Sequence, residues 1–310
     1  MTRQRGDSGT LPDRASTRSG ATWLDGYGMV APLARGGTST VYVGHHLVTG
    51  ERVAIKALDP FYLGHDDMVD RLLGEYALAR RARHPGLLEI RRAEQTRQGI
   101  PYLVMEYLDG ENLGAWIDRA PRARAAVLAI AAQVAHAVAA LHAGGVVHCD
   151  VKPDNVFVLN EPGRPRGPRI KVIDYGVARL ADSPPCENTV AGTPAFMPPE
   201  QWRGAPIAKS DDYALGCLLY ELATKETVFS GALPQLMTAH CEQLPPRPSL
   251  RDPAIDADLE RLIVRSLAKD PSVRPAMAEL AVALDALAAA VAAPRAGVCD
   301  GLAARLEAFG

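Results

Sequence analysis

Val147-His148-Cys149-Asp150-Val151-Lys152-Pro153-Asp154-Asn155-Val156-Phe157 sets an aspartate, a lysine and an asparagine in one short segment. An apolar run gives way to a polar loop, and the loop runs into a strand signal at Val156. Within it an aspartate is followed two residues later by a lysine and five residues later by an asparagine. A polar loop with capping residues accounts for the Asp and the Asn, but not for all three groups together. Phosphoryl transfer does account for them. Asp150 can accept or orient a hydroxyl proton, Lys152 can offset charge on the transferring group, and Asn155 can hold a magnesium ion.

Working outward, Ile173-Asp174-Tyr175-Gly176 sets a carboxylate at a strand end before a glycine turn, which suits a second magnesium ligand. Upstream, Leu33-Ala34-Arg35-Gly36-Gly37-Thr38-Ser39-Thr40-Val41-Tyr42 is a turn between two apolar runs. Its small residues let backbone N–H groups approach phosphates, although by itself it also reads as an ordinary hairpin. Val53-Ala54-Ile55-Lys56 ends an alternating strand on a lysine, and Glu75 lies on the helical stretch Met68 to Arg83, where its carboxylate can pair with that lysine. Taken singly, Lys56 and Glu75 read as surface charges.

Together and in this order, these elements resemble a bacterial eukaryotic-type (Hanks-type) Ser/Thr protein kinase over about Tyr27 to Ala290. Gly192-Thr193-Pro194-Ala195-Phe196-Met197-Pro198-Pro199-Glu200 resembles the end of that family's activation segment. Asp211-Asp212-Tyr213-Ala214-Leu215-Gly216 resembles its central large-lobe helix, and Asp270 to Pro275 its late arginine motif, where Arg274 is expected to pair with Glu200. The resemblance implies an α+β, bilobal protein-kinase-like fold: a small antiparallel β-sheet lobe with one helix, over 26–107, and a larger, mainly helical lobe over 108–290. Residues 1–25 and 291–310 are expected to be tails, the first of them disordered.

The same resemblance implies the site. Asp150 and Lys152 are the catalytic residues, and Asn155 and Asp174 the metal ligands. Ala34, Gly36, Gly37 and Ser39 form the phosphate loop, with Lys56 and its partner Glu75 beside it. Val41, Ala54, Met105, Phe157 and Ile173 line an adenine slot, with backbone hydrogen bonds from Glu106 and Leu108. ATP and Mg2+ are the implied cofactors, with Mn2+ as an alternative ion. Lys152, in place of the pattern typical of tyrosine kinases, favours Ser or Thr of protein substrates as the acceptor.

The chain departs from the family at four places. Ala34 and Ser39 replace the first and third glycines of the phosphate loop, and Tyr175 replaces a phenylalanine, adding a hydroxyl that needs a partner. Cys149 stands where the family usually has an arginine that pairs with a phosphorylated activation-segment residue, and a thiol cannot form that pair. Activity is therefore expected to depend less on such phosphorylation, with Ser183 and Thr189 the nearest acceptors. Thr193 reads as a positioning threonine near Asp150 and Lys152.

Composition sets the frame. The chain has 310 residues, 47% hydrophobic and 23% charged, enough for a sizeable core, and a formal net charge of −2 argues against a nucleic-acid or acidic-membrane partner. Five scattered cysteines without metal spacing read as reduced thiols in a cytoplasm. Ala125 to Leu141 is apolar but broken by Gln133 and His136, and reads as a buried helix instead of a membrane span. Further helices are expected over Asp211 to Ala223, Asp256 to Ala268 and Ala276 to Ala293, and Val156 to Leu159 with Ile170 to Ile173 reads as a hairpin around a Pro- and Gly-rich loop. Two rival classes are a partner-binding pseudokinase, opposed by the complete set of polar site residues, and a small-molecule phosphotransferase, opposed by the segment from Gly192 to Glu200.

Overall fold

The computed structural model describes residues 24, 26–119, 123–161, 168–185 and 191–292. Its first lobe is a five-stranded antiparallel sheet made of β1 (Tyr27–Arg35), β2 (Ser39–His46), β3 (Arg52–Leu58), β4 (Ile90–Gln95) and β5 (Pro101–Glu106). The strand order is β1-β2-β3-β5-β4, and helix α1 (Asp66–Ala79) connects β3 to β4. The alternation of side chains along β3 determines what each face does. Val53, Ile55 and Ala57 join a small outer core with Tyr27, Tyr102 and Val104, while Ala54 and Leu58 join the main core on the opposite face. Lys56 falls between Ala54 and Leu58, so the pleat turns it inward. Helix α1 lays Met68, Leu72, Tyr76 and Ala79 against the main core at spacings of four, four and three.

Leu24 corrects the expected extent of the N-terminal tail. It is buried in the outer core and bridges to Tyr27, and removal of its apolar side chain from water favours that position. The rest of that tail, and Thr189, lie outside the described residues.

The second lobe begins with β6 (Gly110–Asn112), α2 (Leu113–Arg119) and α3 (Arg124–Ala143). β7 (Val146–Val147), β8 (Val156–Leu159), β9 (Ile170–Val172) and β10 (Arg179–Leu180) follow, then α4 (Pro199–Trp202), α5 (Ala208–Thr224), α6 (Leu233–Glu242), α7 (Ala257–Ser266) and α8 (Met277–Ala292). Strands β8 and β9 form the expected hairpin, with β6 on its outer edge; residues 162–167 of its loop are outside the described set. Helix α3 is long and apolar enough to cross a membrane by composition, yet it is the axis of this lobe: Leu128, Ile130, Val134, Val138 and Leu141 are buried, and α8 packs along it. Its apolar face belongs in such a core, while Gln133 is half-buried and His136 is exposed. Its stop is set by two glycines. A Cβ at Gly144 would lie 2.6 Å from the Arg81 carbonyl oxygen, and Gly145 has a φ of +72°.

Helix α8 runs through Ala292, two residues beyond the expected lobe border, and residues 293–310 lie outside the described set. Helices α2 and α6 were not foreseen in the sequence. Both are short, with Gly114 or Pro234 in the first turn, and neither builds a strong apolar stripe.

Candidate active site

A cleft of about 780 Å3 opens between the two lobes. From the sheet lobe, Ala34, Gly36, Gly37, Ser39, Val41, Ala54, Lys56, Glu75, Met105 and Glu106 line it. Leu108 lines it at the connector, and Asp150, Asn155, Phe157, Ile173 and Asp174 from the helical lobe. Lys152 stands just outside the lining. The turn after β1 is closed by the Gly36 N–H donating to the Ser39 carbonyl at 2.8 Å. From the connection that follows β3, the Asp59 N–H reaches the Thr38 carbonyl at 2.9 Å and the Tyr62 hydroxyl reaches that of Gly37 at 3.3 Å. The Glu106 carboxylate faces neighbouring elements, accepting from Lys171 Nζ at 2.6 Å and from the Glu89 N–H at 2.8 Å.

At the inner end of the cleft, Lys56 Nζ donates to both oxygens of Glu75, at 2.7 and 2.8 Å, and lies 3.4 Å from Asp174 Oδ1. Burial pulls the Lys56 ammonium down, but the charges of Glu75 and Asp174 outweigh it and hold its pKa above the ordinary lysine value. Burial likewise works against ionised Asp174; the Lys56 charge and the Gly176 N–H, 3.1 Å from Oδ1, outweigh it and keep the carboxyl below its usual range. For Glu75 burial dominates and raises the carboxyl, with Lys56 opposing. The outcome is a charged lysine held beside an ionised aspartate, facing the cleft.

The loop quoted at the outset folds into a closed polar network. Asp150 Oδ2 accepts from Asn155 Nδ2 at 2.8 Å and lies 2.8 Å from Lys152 Nζ, while Oδ1 accepts from Thr193 Oγ1 at 2.7 Å. Lys152 Nζ in turn donates to Thr193 Oγ1 at 2.5 Å, so Thr193 bridges the lysine and the aspartate. The His148 ring is 3.2 Å through Nε2 from the Ile173 carbonyl, which makes Nε2 the donor and leaves Nδ1 to accept the Asp150 N–H at 3.3 Å. One edge of the network therefore ties the loop to the strand end that carries Asp174.

Comparison with known proteins gives this arrangement its place. The model of the protein kinase domain matches residues 27–283. The chain belongs to the protein kinase family. Among similar proteins, the serine/threonine-protein kinase Pkn1 of Myxococcus xanthus is 38% identical over 269 residues, covering 85% of this chain and 38% of that protein. Serine/threonine-protein kinase PkaA of Streptomyces coelicolor is 36% identical, over 84% of this chain and 50% of its own length. Serine/threonine-protein kinase PknB of Mycobacterium leprae is 34% identical, over 81% and 41%. This chain thus spans half or less of the length of these relatives.

Within this kinase domain, the Cys149 backbone has a φ of +64°, unusual for a residue with a Cβ. It is held by α5, where the buried Asp211 carboxylate accepts the N–H groups of His148 and Cys149, each at 2.8 Å, and also meets His142 Nε2 at 2.8 Å. From the other side Gln201 Nε2 donates to the carbonyls of Cys149 and Ala191, both at 2.7 Å. The Cys149 thiol is buried, which pushes its pKa up and keeps it protonated. Arg179, whose charge reaches Cys149, donates to the main-chain carbonyls of Ser183, at 2.8 Å, and Pro184. Tyr175 is buried against His148, and its hydroxyl has no hydrogen-bond partner among the described residues. Arg274 meets Glu200 side by side, at 2.6 and 3.0 Å, with Ser210 Oγ donating to the same carboxylate.

Sequence reasoning brought Lys56, Glu75, Asp150, Lys152, Asn155, Asp174 and Thr193 to one place, and the structure gathers all seven there. It missed Gln201, the carboxylate role of Asp211, and Arg71, which reaches the Gly176 carbonyl from α1. The family-like stretches around Asp211 and Glu200 marked two of these neighbourhoods, but nothing local in sequence signals a side chain bonding to backbone dozens of residues away.

Proposed function

We propose that this chain transfers the γ-phosphoryl of Mg-ATP to Ser or Thr hydroxyls of proteins and also phosphorylates itself. One observation carries the reading: the Asp150–Lys152–Thr193 network with Asn155 lies at the same cleft as the Lys56–Glu75 pair and Asp174. In this reading Asp150 takes up or orients the proton of the attacking hydroxyl, Lys152 offsets charge at the transferring group, and Lys56 holds the α- and β-phosphates. Ala34, Gly36, Gly37 and Ser39 cradle the phosphates. Val41, Ala54, Met105, Phe157 and Ile173 enclose the base, and the backbone of Glu106 and Leu108 orients it.

Protein kinases use ATP with a divalent metal. The residues present fit magnesium: Asn155 and Asp174 face the cleft as two oxygen-bearing side chains, and among the described residues no cluster of three or more His, Cys, Asp or Glu forms a protein-only metal cage. An ion that keeps water and phosphate oxygens for most of its shell asks for no more. When bound, it supplies neutralisation of the phosphate charge. Manganese suits the same donors. Free thiols at Cys149, Cys217 and Cys241 support a reducing, cytoplasmic setting, and the similarity to serine/threonine-protein kinases supports protein substrates as partners.

The test is direct. Purified chain incubated with labelled ATP, Mg2+ and a generic basic protein should label Ser and Thr of the acceptor and of itself, whereas Asp150→Asn should not. Equal labelling by the two proteins would remove the reading.

A further inference from the structure

Helix α1 carries a second polar contact one turn before Glu75. Arg71 Nε donates to the Gly176 carbonyl at 2.6 Å, a short, charge-assisted bond across 105 residues of chain. The turn it reaches is strained. Asp174 has a φ of +67°, a left-handed backbone that costs a residue with a Cβ about 1 kcal/mol or more. Such a conformation persists only where its surroundings over-determine it. Here the Gly176 N–H donates back to Asp174 Oδ1 at 3.1 Å, closing the turn on its own carboxylate, while Arg71 grips the same peptide segment through the Gly176 carbonyl. Helix α1 therefore holds Asp174 twice: through Glu75 and Lys56 to the carboxylate, and through Arg71 to the main chain.

We propose that Arg71 is a positioning residue for Asp174: by clamping the Gly176 carbonyl it holds the left-handed turn and so aims the Asp174 carboxylate at the divalent ion. This rests on the kinase reading above. It makes the α1 position and the metal site one mechanical unit. Arg71 also lines the cleft, so the alternative is a direct contact with nucleotide phosphates.

The two roles separate by metal. Binding of ADP to the full chain is measured by calorimetry with and without Mn2+, and bound Mn2+ is counted by electron paramagnetic resonance, for wild type, Arg71→Met and Arg71→Lys. Losing a hydrogen bond to a charged group should cost the Mn2+-dependent part of the affinity about tenfold in Arg71→Met. Metal-free ADP affinity should stay unchanged, and Arg71→Lys, which keeps a charged donor, should recover part of the loss. Equal weakening with and without Mn2+, or no change in either, would overturn the proposal. Should Arg71→Met fail to fold, Arg71→Lys against wild type carries the same comparison. A wild-type chain that binds no ADP at all removes the kinase reading as well, whereas wild-type binding with an unaltered variant removes only the role of Arg71.

Discussion

Asp211 Oδ1 accepts the main-chain N–H of Cys149 at 2.8 Å, joining the buried helix α5 to the residue that precedes Asp150. The same carboxylate takes two further donors, from the His148 backbone and the His142 ring. The left-handed backbone at Cys149 is thus held by a fixed negative charge. Replacing Asp211 by Asn puts an NH2 group where one of these donors points. The variant should lose about 3 kcal/mol of stability in urea unfolding and most of its phosphoryl transfer. Unchanged unfolding would show that the loop holds its shape without this acceptor.

The His142 contact to Asp211 should depend on pH. Burial lowers the His142 pKa, but the hydrogen bond and charge of Asp211 outweigh it, so the ring titrates above the ordinary histidine value. A raised folded pKa contributes stability that is fully present below the unfolded value near 6.5 and fades as pH climbs through the folded one. Hence His142→Ala should cost more stability at pH 5.5 than at pH 9. A penalty equal at both ends would show that the ring matters by packing alone.

Tyr175 carries a hydroxyl that no described residue bonds. Its ring is buried beside His148, and the oxygen lacks a protein partner among the described residues. An unsatisfied buried hydroxyl costs about 1–3 kcal/mol. Tyr175→Phe should therefore raise the melting temperature by a few degrees while the cleft keeps its nucleotide affinity. A lower melting temperature would mean that the oxygen has a partner after all.

Cys149 bears on regulation. With Arg179 bonded to the Ser183 and Pro184 carbonyls, the cation beside the catalytic loop is already engaged by main chain. Ser183→Ala combined with Thr189→Ala, prepared free of phosphate, should retain at least about half of wild-type turnover. Abolished turnover with nucleotide still bound would refute the idea.

What could be read in advance followed distance along the chain. Asp150, Lys152 and Asn155 are neighbours, so their spacing alone announced a shared task. Lys56 was ambiguous as an isolated strand lysine, and only the pleat, which sets Ala54 and Leu58 on the same side, decides that it faces inward. Leu24 was hidden because a single apolar residue in a polar tail has no period. Gln201, Arg71 and Asp211 were hidden for another reason. Each bonds to backbone 52 to 105 residues away, and a backbone acceptor or donor leaves no signature in residue type.

The pair between Glu200 and Arg274 has a consequence for synthesis. Arg274 is 2% exposed and Glu200 is 9% exposed, and 74 residues separate them. While the chain emerges from the ribosome, the Glu200 carboxylate has no counter-ion until the segment bearing Arg274 has cleared the exit tunnel. Burying it earlier would leave a lone charge in the interior, at a cost of about 3–5 kcal/mol. The helical lobe is therefore expected to close only once Arg274 has emerged. Nascent chains stalled before Arg274 should be cleaved readily by protease, and those stalled well past Leu284 should resist it.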